Sequence, residues 1–231
     1  MDSTVELLWG VRPSPSRGPR PAFTIEDIAK AAMDIADAEG LTALSMQRVA
    51  GELGFTKMAL YRYVRGKAEL IAVMIEEAVG EPPDLSAVPG GWRGRLQHWA
   101  QHLWETWDRH PWLPGATTGE RVMGPKEIGW TEIAVAALVG TGLSGSEQMD
   151  AVLLLSGHVR NTRSTASAGT QPWTTQRQPD LSTLPDHAAD RFPALSAAIA
   201  SAADPTPDRS REFGLQRLLD GLEVLITQRT R

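Results

Sequence analysis

The chain contains no cysteine among its 231 residues. It therefore has no disulfide, no thiol chemistry and no cysteine ligand for zinc. It also lacks any run approaching the roughly 20 apolar residues of a membrane-spanning helix, and its first residues do not form a charged-then-apolar leader. Positive charge is in deficit, because the formal net charge is −5. We therefore expect a cytoplasmic chain. Any nucleic acid should bind to a local basic patch rather than to the whole surface.

Motifs of the common enzyme classes are missing as well. The sequence has no G-x-S-x-G, no P-loop, no H-E-x-x-H and no dinucleotide fingerprint, so it offers no candidate catalytic residue and no cofactor is expected. His98 and His102 stand four residues apart with Glu105 following. That spacing fixes no further ligand, so we expect solvated side chains and no metal site. An all-helical enzyme built from dispersed residues stays open as an alternative.

The most informative stretch is LSMQRVAGELGFTKMALYRYVRGK, residues 44–67. Ala50 and Gly54 stand four apart, which suits a close crossing of two helices followed by a turn with positive φ. The remaining charges are nearly all basic, as a phosphate-binding surface requires. We interpret the stretch as a helix-turn-helix that lies in the major groove of DNA. Apolar residues at helical spacing are predicted to hold its helices together: Val49, Leu53, Phe55, Leu60 and Tyr63.

Helical periodicity recurs along the chain and no strand-period alternation appears, so the predicted fold class is all-α. Thr24, Ser45 and Thr56 are predicted helix N-caps, and Gly40 a helix end. The proline- and glycine-rich stretch EPPDLSAVPGG predicts a break. Three parts result: a flexible basic N-terminal arm, a DNA-binding domain with its connecting helix, and a second helical domain, at 1–22, 23–80 and 81–231.

Two polar segments carry open alternatives. The arm contains Arg12, Arg17 and Arg20 without an acidic neighbour between them. Such an arm either reaches into an adjacent minor groove, as homeodomain arms do, or is a flexible tail. The polar stretch 165–187 is too long for a mere connection, and we interpret it as a lid or a disordered loop.

The second domain holds a tryptophan-rich helix. Trp92, Leu96, Trp99, Leu103 and Trp107 form one wide apolar stripe at helical spacing. Such a stripe suits a pocket for an apolar or aromatic small molecule, although it is also typical of ordinary core. A later helix adds polar groups that either hydrogen-bond a ligand or lie in solvent. The predicted ligand-binding residues are Trp99, Leu103, Trp107, Trp112, Met123, Trp130, His158 and Asn161.

Together these features resemble the tetracycline-repressor-like (TetR) family of bacterial regulators. Residues 24–75 carry the likeness, above all the run ALYRYV followed by the lysine that opens a fourth helix. The arm and the HPWLPG segment resemble members with a tetracycline-repressor-type C-terminal domain. The resemblance implies a repressor that binds a palindromic operator in double-stranded DNA as a homodimer and is released by a small-molecule effector. A DNA-binding regulator without such a ligand, controlled by a protein partner, is the alternative.

The resemblance also implies roles for individual residues. Lys57, Met58, Tyr61 and Arg62 would face the groove and Gln47 a base edge, whereas Ser45, Thr56, Tyr63 and Lys67 would contact phosphates. Tyr63 alternatively serves the core, and Arg48 either clamps a phosphate or pairs with Glu52. Ala59 departs from the serine or threonine of many relatives, which removes one backbone contact. The predicted DNA-binding set is Thr24, Ser45, Gln47, Arg48, Thr56, Lys57, Met58, Tyr61, Arg62, Tyr63 and Lys67, with Arg17 and Arg20 of the arm.

Dimerisation is the last property that the resemblance implies. Two late helices of each chain would form a four-helix bundle across a two-fold axis, which sets two recognition helices roughly 34 to 36 Å apart. The same apolar faces alternatively fill the core of a single chain. The predicted interface residues are Val152, Leu155, Leu215, Leu218, Leu222 and Leu225.

Overall fold

The computed structural model describes residues 3–11, 23–168, 191–201 and 209–229. Every regular element in these ranges is helical, as predicted. None of the helices there has both the length and the apolar character that a membrane crossing requires. The α-helices are α1 (Ser3–Leu8), α2 (Ile25–Glu39), α3 (Met46–Glu52), α4 (Lys57–Leu60), α5 (Lys67–Val79), α6 (Gly91–Arg109), α7 (Leu113–Ala116), α8 (Pro125–Leu138), α9 (Gly145–Ala168), α10 (Pro193–Ser201) and α11 (Arg209–Arg229), with a 3-10 turn at Leu41–Ala43.

The ends of the first helices follow their predicted capping residues. Thr24 Oγ1 accepts from the Asp27 amide at 3.2 Å, and the Asp27 carboxylate accepts from the Thr24 amide at 2.9 Å, which completes a capping box. Gly40 ends α2 with a φ of 81°, and Ser45 Oγ accepts from the Arg48 amide at 3.2 Å. These local signals were sufficient to predict where α2 and α3 begin and where α2 ends.

The core of the N-terminal module lies between α2 and α5. α2 packs along α5 and also against α3, which in turn packs against α4. Apolar residues at helical spacing give each of these helices one face to bury, and their side chains are fully buried between the helices. The largest of them are Ile28, Val49, Leu60, Leu70, Met74 and Ile75.

The first part of the predicted N-terminal arm is a packed helix rather than a flexible tail. α1 lies against α5, and the Trp9 indole donates to the Met123 carbonyl at 3.3 Å. The apolar residues of VELLW explain the difference, because they give a short helix one face to bury. The remainder of the arm, including Arg12, Arg17 and Arg20, lies outside the described residues.

Contacts between residues divide the chain into two compact units, Met1–Val152 and Leu153–Arg231. The first unit contains α1 to α8 and the beginning of α9, and within it α8 packs against both α5 and α6. The break after α5 therefore changes the course of the chain without separating the helices that follow. The predicted domain boundary between residues 80 and 81 stays a proposal.

The predicted lid begins inside a helix. α9 continues to Ala168, so the first residues of the stretch 165–187 are helical. Residues 169–190, which contain the rest of the predicted lid, lie outside the described part of the chain. The interpretation of that segment stays a prediction.

Candidate functional site

The predicted helix-turn-helix is formed by α3, a turn and α4. Gly54 has a positive φ of 73° in the turn, a conformation that glycine adopts without strain. The Phe55 amide donates to the Ala50 carbonyl at 2.8 Å and folds the turn back on α3. Val49 and Ala50 are fully buried. The small residue and the glycine thus have the positions expected of them.

The apolar face of this motif differs from the predicted one at Phe55. That ring is exposed and packs edge-on against Phe23, with 4.2 Å between the ring centroids. Phe55 directly precedes Thr56, the N-cap of α4, so its side chain follows the turn rather than the helical period. Val64, which the spacing did not single out, is fully buried instead.

Four of the predicted base-contacting side chains lie on one exposed side of α4 and the turn after it. Lys57 and Met58 begin the helix, and Tyr61 and Arg62 follow four residues later on the same side. Met58 is 73% exposed, and the Lys57 ammonium lies 5.6 Å from the centroid of the Tyr61 ring. This surface offers cations, an aromatic ring and a thioether to a partner, which suits phosphates, guanine edges and thymine methyl groups.

The predicted phosphate-contacting residues differ in the hydrogen bonds that they already make. The Ser45 hydroxyl already caps α3, whereas Thr56 occupies the N-cap of α4 without a capping hydrogen bond from its side chain. The Lys67 ammonium donates to the Leu41 carbonyl at 3.1 Å. An ammonium has three donors, so Lys67 keeps others for a phosphate. Tyr63 is half-buried, which is compatible with both of its predicted roles.

Arg48 has a partner that neither alternative for it included. Its guanidinium makes a two-pronged ion pair with Glu39 at the end of α2, rather than with Glu52. The hydrogen bond to Glu39, and then the attraction of the Glu39 charge, raise the pKa of Arg48. Because Glu39 neutralises this cation, a phosphate contact from Arg48 would require the pair to open. The ion pair instead ties α3 to α2.

Helices α5 and α8 cap each other, a feature that sequence reasoning missed. The buried Glu76 carboxylate on α5 accepts from the Lys126 and Glu127 amides at the start of α8, at 2.9 and 3.2 Å. In the opposite direction, the Trp130 indole on α8 donates to the Val79 and Gly80 carbonyls at the end of α5, at 3.1 and 3.2 Å. The available signal was a carboxylate within the apolar run of α5. These bonds hold the far end of α5 to α8.

The tryptophans predicted to bind a ligand are buried in the first unit, and the indoles of Trp99, Trp112 and Trp130 donate hydrogen bonds within it. Trp99, Trp107, Trp112 and Trp130 all have buried side chains, as does Leu103, whereas Met123 is partly exposed. The Trp99 indole donates to the Trp130 carbonyl at 2.9 Å, which joins α6 to α8. The structure thus brings Trp99 and Trp130 together. A ligand bound by these residues would contact their rings, because the indole N–H groups of Trp99, Trp112 and Trp130 already donate within the chain.

The polar residues predicted to bind a ligand belong to the second unit. His158 Nε2 lies 2.9 Å from the Arg211 carbonyl and so joins α9 to α11. A Cβ added to Gly214 would lie 2.1 Å from the His158 ring, which shows how closely the two helices approach. Asn161 is exposed, one turn further along α9. His158 therefore has a packing role that its spacing in the sequence did not reveal.

The predicted dimer residues divide by burial. Val152, Leu155 and Leu215 are buried within the single chain, which fits the alternative that these faces fill its core. Their place at an interface stays a prediction. Leu218, Leu222 and Leu225 are half-buried. Large apolar side chains that the prediction omitted are exposed on the same two helices: Met149, Leu153 and Leu154 on α9, and Phe213 and Val224 on α11.

His98 and His102 contact each other, and His102 also contacts a carboxylate. Their Nε2 atoms lie 2.9 Å apart, and His102 Nδ1 lies 3.4 Å from Glu105. Across the described ranges, no group of three or more histidine, aspartate or glutamate side chains is arranged to hold a metal ion.

Two family models match the chain. Residues 28–74 match the model described as bacterial regulatory proteins, tetR family, and residues 83–226 match the tetracyclin repressor-like C-terminal domain. Among curated proteins, the chain is 37% identical to the HTH-type transcriptional repressor DrrR1 of Streptomyces coeruleorubidus, over 98% of this chain and 87% of that protein. It is 28% identical to the HTH-type transcriptional repressor Rv1353c of Mycobacterium tuberculosis, over 92% of this chain and 85% of the relative.

Solved structures agree with these matches. Apo ActR from Streptomyces coelicolor superposes with a TM-score of 0.77 and 26% identity, covering 91% of this chain and 99% of ActR. ActR in complex with actinorhodin superposes with a TM-score of 0.72 and 27% identity, covering 88% of this chain and 96% of that one.

Proposed function

The chain belongs to the TetR family of bacterial transcriptional regulators, and we propose that it is a repressor released from a palindromic operator by a small molecule. It binds DNA through the helix-turn-helix of α3 and α4 and acts as a homodimer. The observation that carries the proposal is the exposed surface of Lys57, Met58, Tyr61 and Arg62, on α4 and the turn after it, in a chain whose net charge is −5. The proposal assigns no catalytic residue and no cofactor.

The DNA interface follows from the side chains around that surface. Lys57 and Arg62 donate to guanine O6 and N7, and Met58 and Tyr61 pack on thymine methyl groups, while Gln47 on α3 reaches a neighbouring base edge. Phosphates on either side are bound by Thr24, Ser45, Thr56, Tyr63 and Lys67. Arg48 binds a phosphate only when its ion pair with Glu39 opens. The arm residues Arg17 and Arg20 add contacts in the minor groove.

A small-molecule effector is the second part of the proposal. ActR, to which the chain is 27% identical, has been solved in complex with actinorhodin and with (S)-DNPA. We propose that this chain takes an apolar or aromatic effector against the rings of Trp99, Leu103, Trp107, Trp112 and Trp130. Met123 lies at the rim of this site, because it is partly exposed. His158 and Asn161 belong to the second unit, and their predicted contacts with a ligand stay a prediction.

The proposed response runs through α5. Its first residue, Lys67, lies at the DNA interface, and its last turn is capped by Trp130, one of the proposed ligand-binding residues. An effector that shifts α8 therefore shifts α5 and changes the spacing of the two recognition helices. A hundredfold loss of operator affinity requires about 3 kcal/mol of differential effector binding.

The experiment that tests this function is selection of binding sites from random duplex DNA with the purified chain, followed by titration of the selected duplex at several salt concentrations. An enriched palindrome bound by two chains supports the proposal. Weak, salt-sensitive binding without enrichment contradicts it and favours the alternatives, a partner-controlled regulator or an all-helical enzyme. Titrating the bound duplex with actinorhodin then asks whether this chain shares an effector with ActR.

A further inference from the structure

A carboxylate at the end of α2 joins two side chains that follow α6. The Trp112 indole donates to Asp37 Oδ1 at 2.7 Å, and His110 Nδ1 lies 3.0 Å from Asp37 Oδ2. The two rings stand 5.9 Å apart. We call Asp37, His110 and Trp112 the Asp37 cluster.

The position of Asp37 is unfavourable for α2 alone. It lies in the last turn, which contains no basic residue, and a carboxylate there is opposed by the negative end of the helix dipole. The contacts that offset this cost come from residues more than seventy positions later in the chain. Trp112 is buried and His110 is mostly covered, so these charge-assisted hydrogen bonds are only partly screened by water. Asp37 therefore serves the contact between elements rather than its own helix.

The Asp37 cluster joins the DNA-binding helices to α6 by a route separate from α5. α2 packs against α3 and holds it through the pair of Glu39 with Arg48. On the other side, His110 and Trp112 follow α6 directly, which carries Trp99, Leu103 and Trp107. A helical module attached only through α5 would be free to turn about that helix. A second attachment at α2 removes this freedom.

We propose that Asp37, His110 and Trp112 are positioning residues that hold the recognition surface in its DNA-binding orientation relative to α6 and α8. Trp112 then has two roles, because its ring belongs to the proposed effector site and its N–H donates to Asp37 of the DNA-binding module. An effector that moves Trp112 releases α2 as well as α5. The positioning role of the cluster is independent of the proposed function, whereas the release of α2 by an effector rests on that function.

The test uses the absence of cysteine in the natural chain. Met58→Cys on α4 and Ile128→Cys on α8 place two spin labels at exposed positions of the first unit. The labelled chain is diluted into an excess of the unlabelled natural chain, so that each assembly carries one labelled copy. Pulsed electron resonance then measures the distance between the recognition surface and α8 within one chain, whether or not the chain dimerises. We expect one narrow distance peak.

Two variants remove hydrogen bonds of the cluster by changing either the buried tryptophan or the partly exposed carboxylate. Trp112→Phe removes the indole N–H and keeps a ring, and Asp37→Ala removes the partly exposed carboxylate. Both are expected to lose the narrow peak, and the double variant is expected to be no broader than either one. Asp37→Asn, which keeps an oxygen to accept from Trp112, is expected to restore the peak. Thr141→Val, which removes a buried hydroxyl donating to the Leu138 carbonyl at 2.6 Å, is the control for loss of stability without release of α2.

The second reading is DNA affinity, measured on unlabelled chains that keep Met58 because this residue belongs to the recognition surface. If about one molecule in ten keeps the binding orientation, the dissociation constant for the selected duplex rises about tenfold, and Thr141→Val leaves it unchanged. A narrow wild-type-like peak in folded Trp112→Phe and Asp37→Ala chains overturns the role of the cluster. Failure of the chain to dimerise or to select a duplex overturns the proposed function instead, and leaves the distance measurement valid.

Discussion

At the scale of single residues, the informative positions are polar groups in apolar surroundings. Glu76 is the clearest, because it is buried and its carboxylate replaces the missing partners of the first amides of α8. Gly124 permits this approach, since a Cβ there would lie 2.2 Å from the Glu76 carboxyl carbon. Burial raises the pKa of Glu76, against the opposing effect of the amides of Lys126 and Glu127. Burial thus disfavours the charged form of Glu76, while its carboxylate joins α5 to α8.

The raised pKa of Glu76 predicts how its contribution to stability depends on pH. A glutamate with a raised pKa stabilises the fold when it is protonated. This contribution is complete below the ordinary glutamate pKa of about 4.3. It is lost as pH rises through the raised pKa. Glu76→Gln cannot titrate. We expect the unfolding free energy of the natural chain minus that of Glu76→Gln to be largest below about pH 4 and to fall through the weakly acidic range. Denaturant unfolding across that range measures the difference.

Glu132→Gln is the matched control for this experiment, because it removes an exposed carboxylate from the same helix, α8. Its difference from the natural chain should lack the fall seen for Glu76→Gln. A difference for Glu76→Gln that does not change with pH would show that burial does not govern this carboxylate.

The DNA-binding residues make a residue-scale prediction of their own. Lys67→Ala removes a phosphate contact, so it should weaken binding to all duplexes and lower the slope of log affinity against log salt by about one. Lys57→Ala should mainly relax the preferred sequence, because its ammonium faces base edges. Salt titrations and repeated site selection measure the two effects. Lys30→Ala, which removes an equal charge from an exposed position on α2, should do neither. An unchanged preferred sequence in Lys57→Ala would place the recognition surface elsewhere.

At the scale of elements, α9 and α11 approach each other closely at a position that only glycine allows. His158 reaches the Arg211 carbonyl because Gly214 leaves room for its ring. Helical spacing predicted both helices, but it could not show that a histidine of one lies against a glycine of the other.

Gly214→Ala should therefore destabilise the chain. Its new methyl group would overlap the His158 ring, and overpacking of this kind costs about 1–3 kcal/mol. Gly51→Ala, in α3 with open space around its added methyl group, should instead gain roughly 0.5–1 kcal/mol from helix propensity. Thermal unfolding compares the two. An equal gain in both variants would show that the helices do not approach as closely as described.

The extent of the prediction from sequence follows the range of the interactions. Thr24, Gly40 and Ser45 act on neighbours within four residues, so the sequence was sufficient to place the ends of α2 and α3. Glu39 bonds Arg48 nine residues away, and the nearer Glu52 was the candidate considered. Asp37 and Glu76 meet partners fifty or more residues away. Such partners depend on how helices pack, and a single sequence does not encode that packing as a readable spacing.

At the scale of the whole molecule, dimerisation links the two recognition surfaces. The exposed apolar residues of α9 and α11 lie on the helices that the family resemblance assigned to the interface. Leu153 is 66% exposed and Val224 59%. An exposed apolar face of this kind suits a second copy of the chain.

Leu153→Lys and Val224→Lys should each shift the chain from dimer to monomer, because an unpaired ammonium would be buried at the interface. Sedimentation equilibrium measures the change. Val139→Lys replaces a side chain that is 69% exposed in the turn after α8 and should leave the dimer intact. Dimers that survive both interface substitutions would move the interface to another surface.

The most direct measurement of the central claim is the affinity of the chain for its selected palindrome before and after insertion of about five base pairs between the half-sites. A dimer with two recognition helices on one side of the duplex requires half-sites one helical turn apart, and half a turn places them on opposite sides. We predict that the insertion reduces binding to the level of non-specific DNA and that a further insertion to a full turn restores part of it. Equal affinity for the natural and the lengthened palindrome would contradict the account.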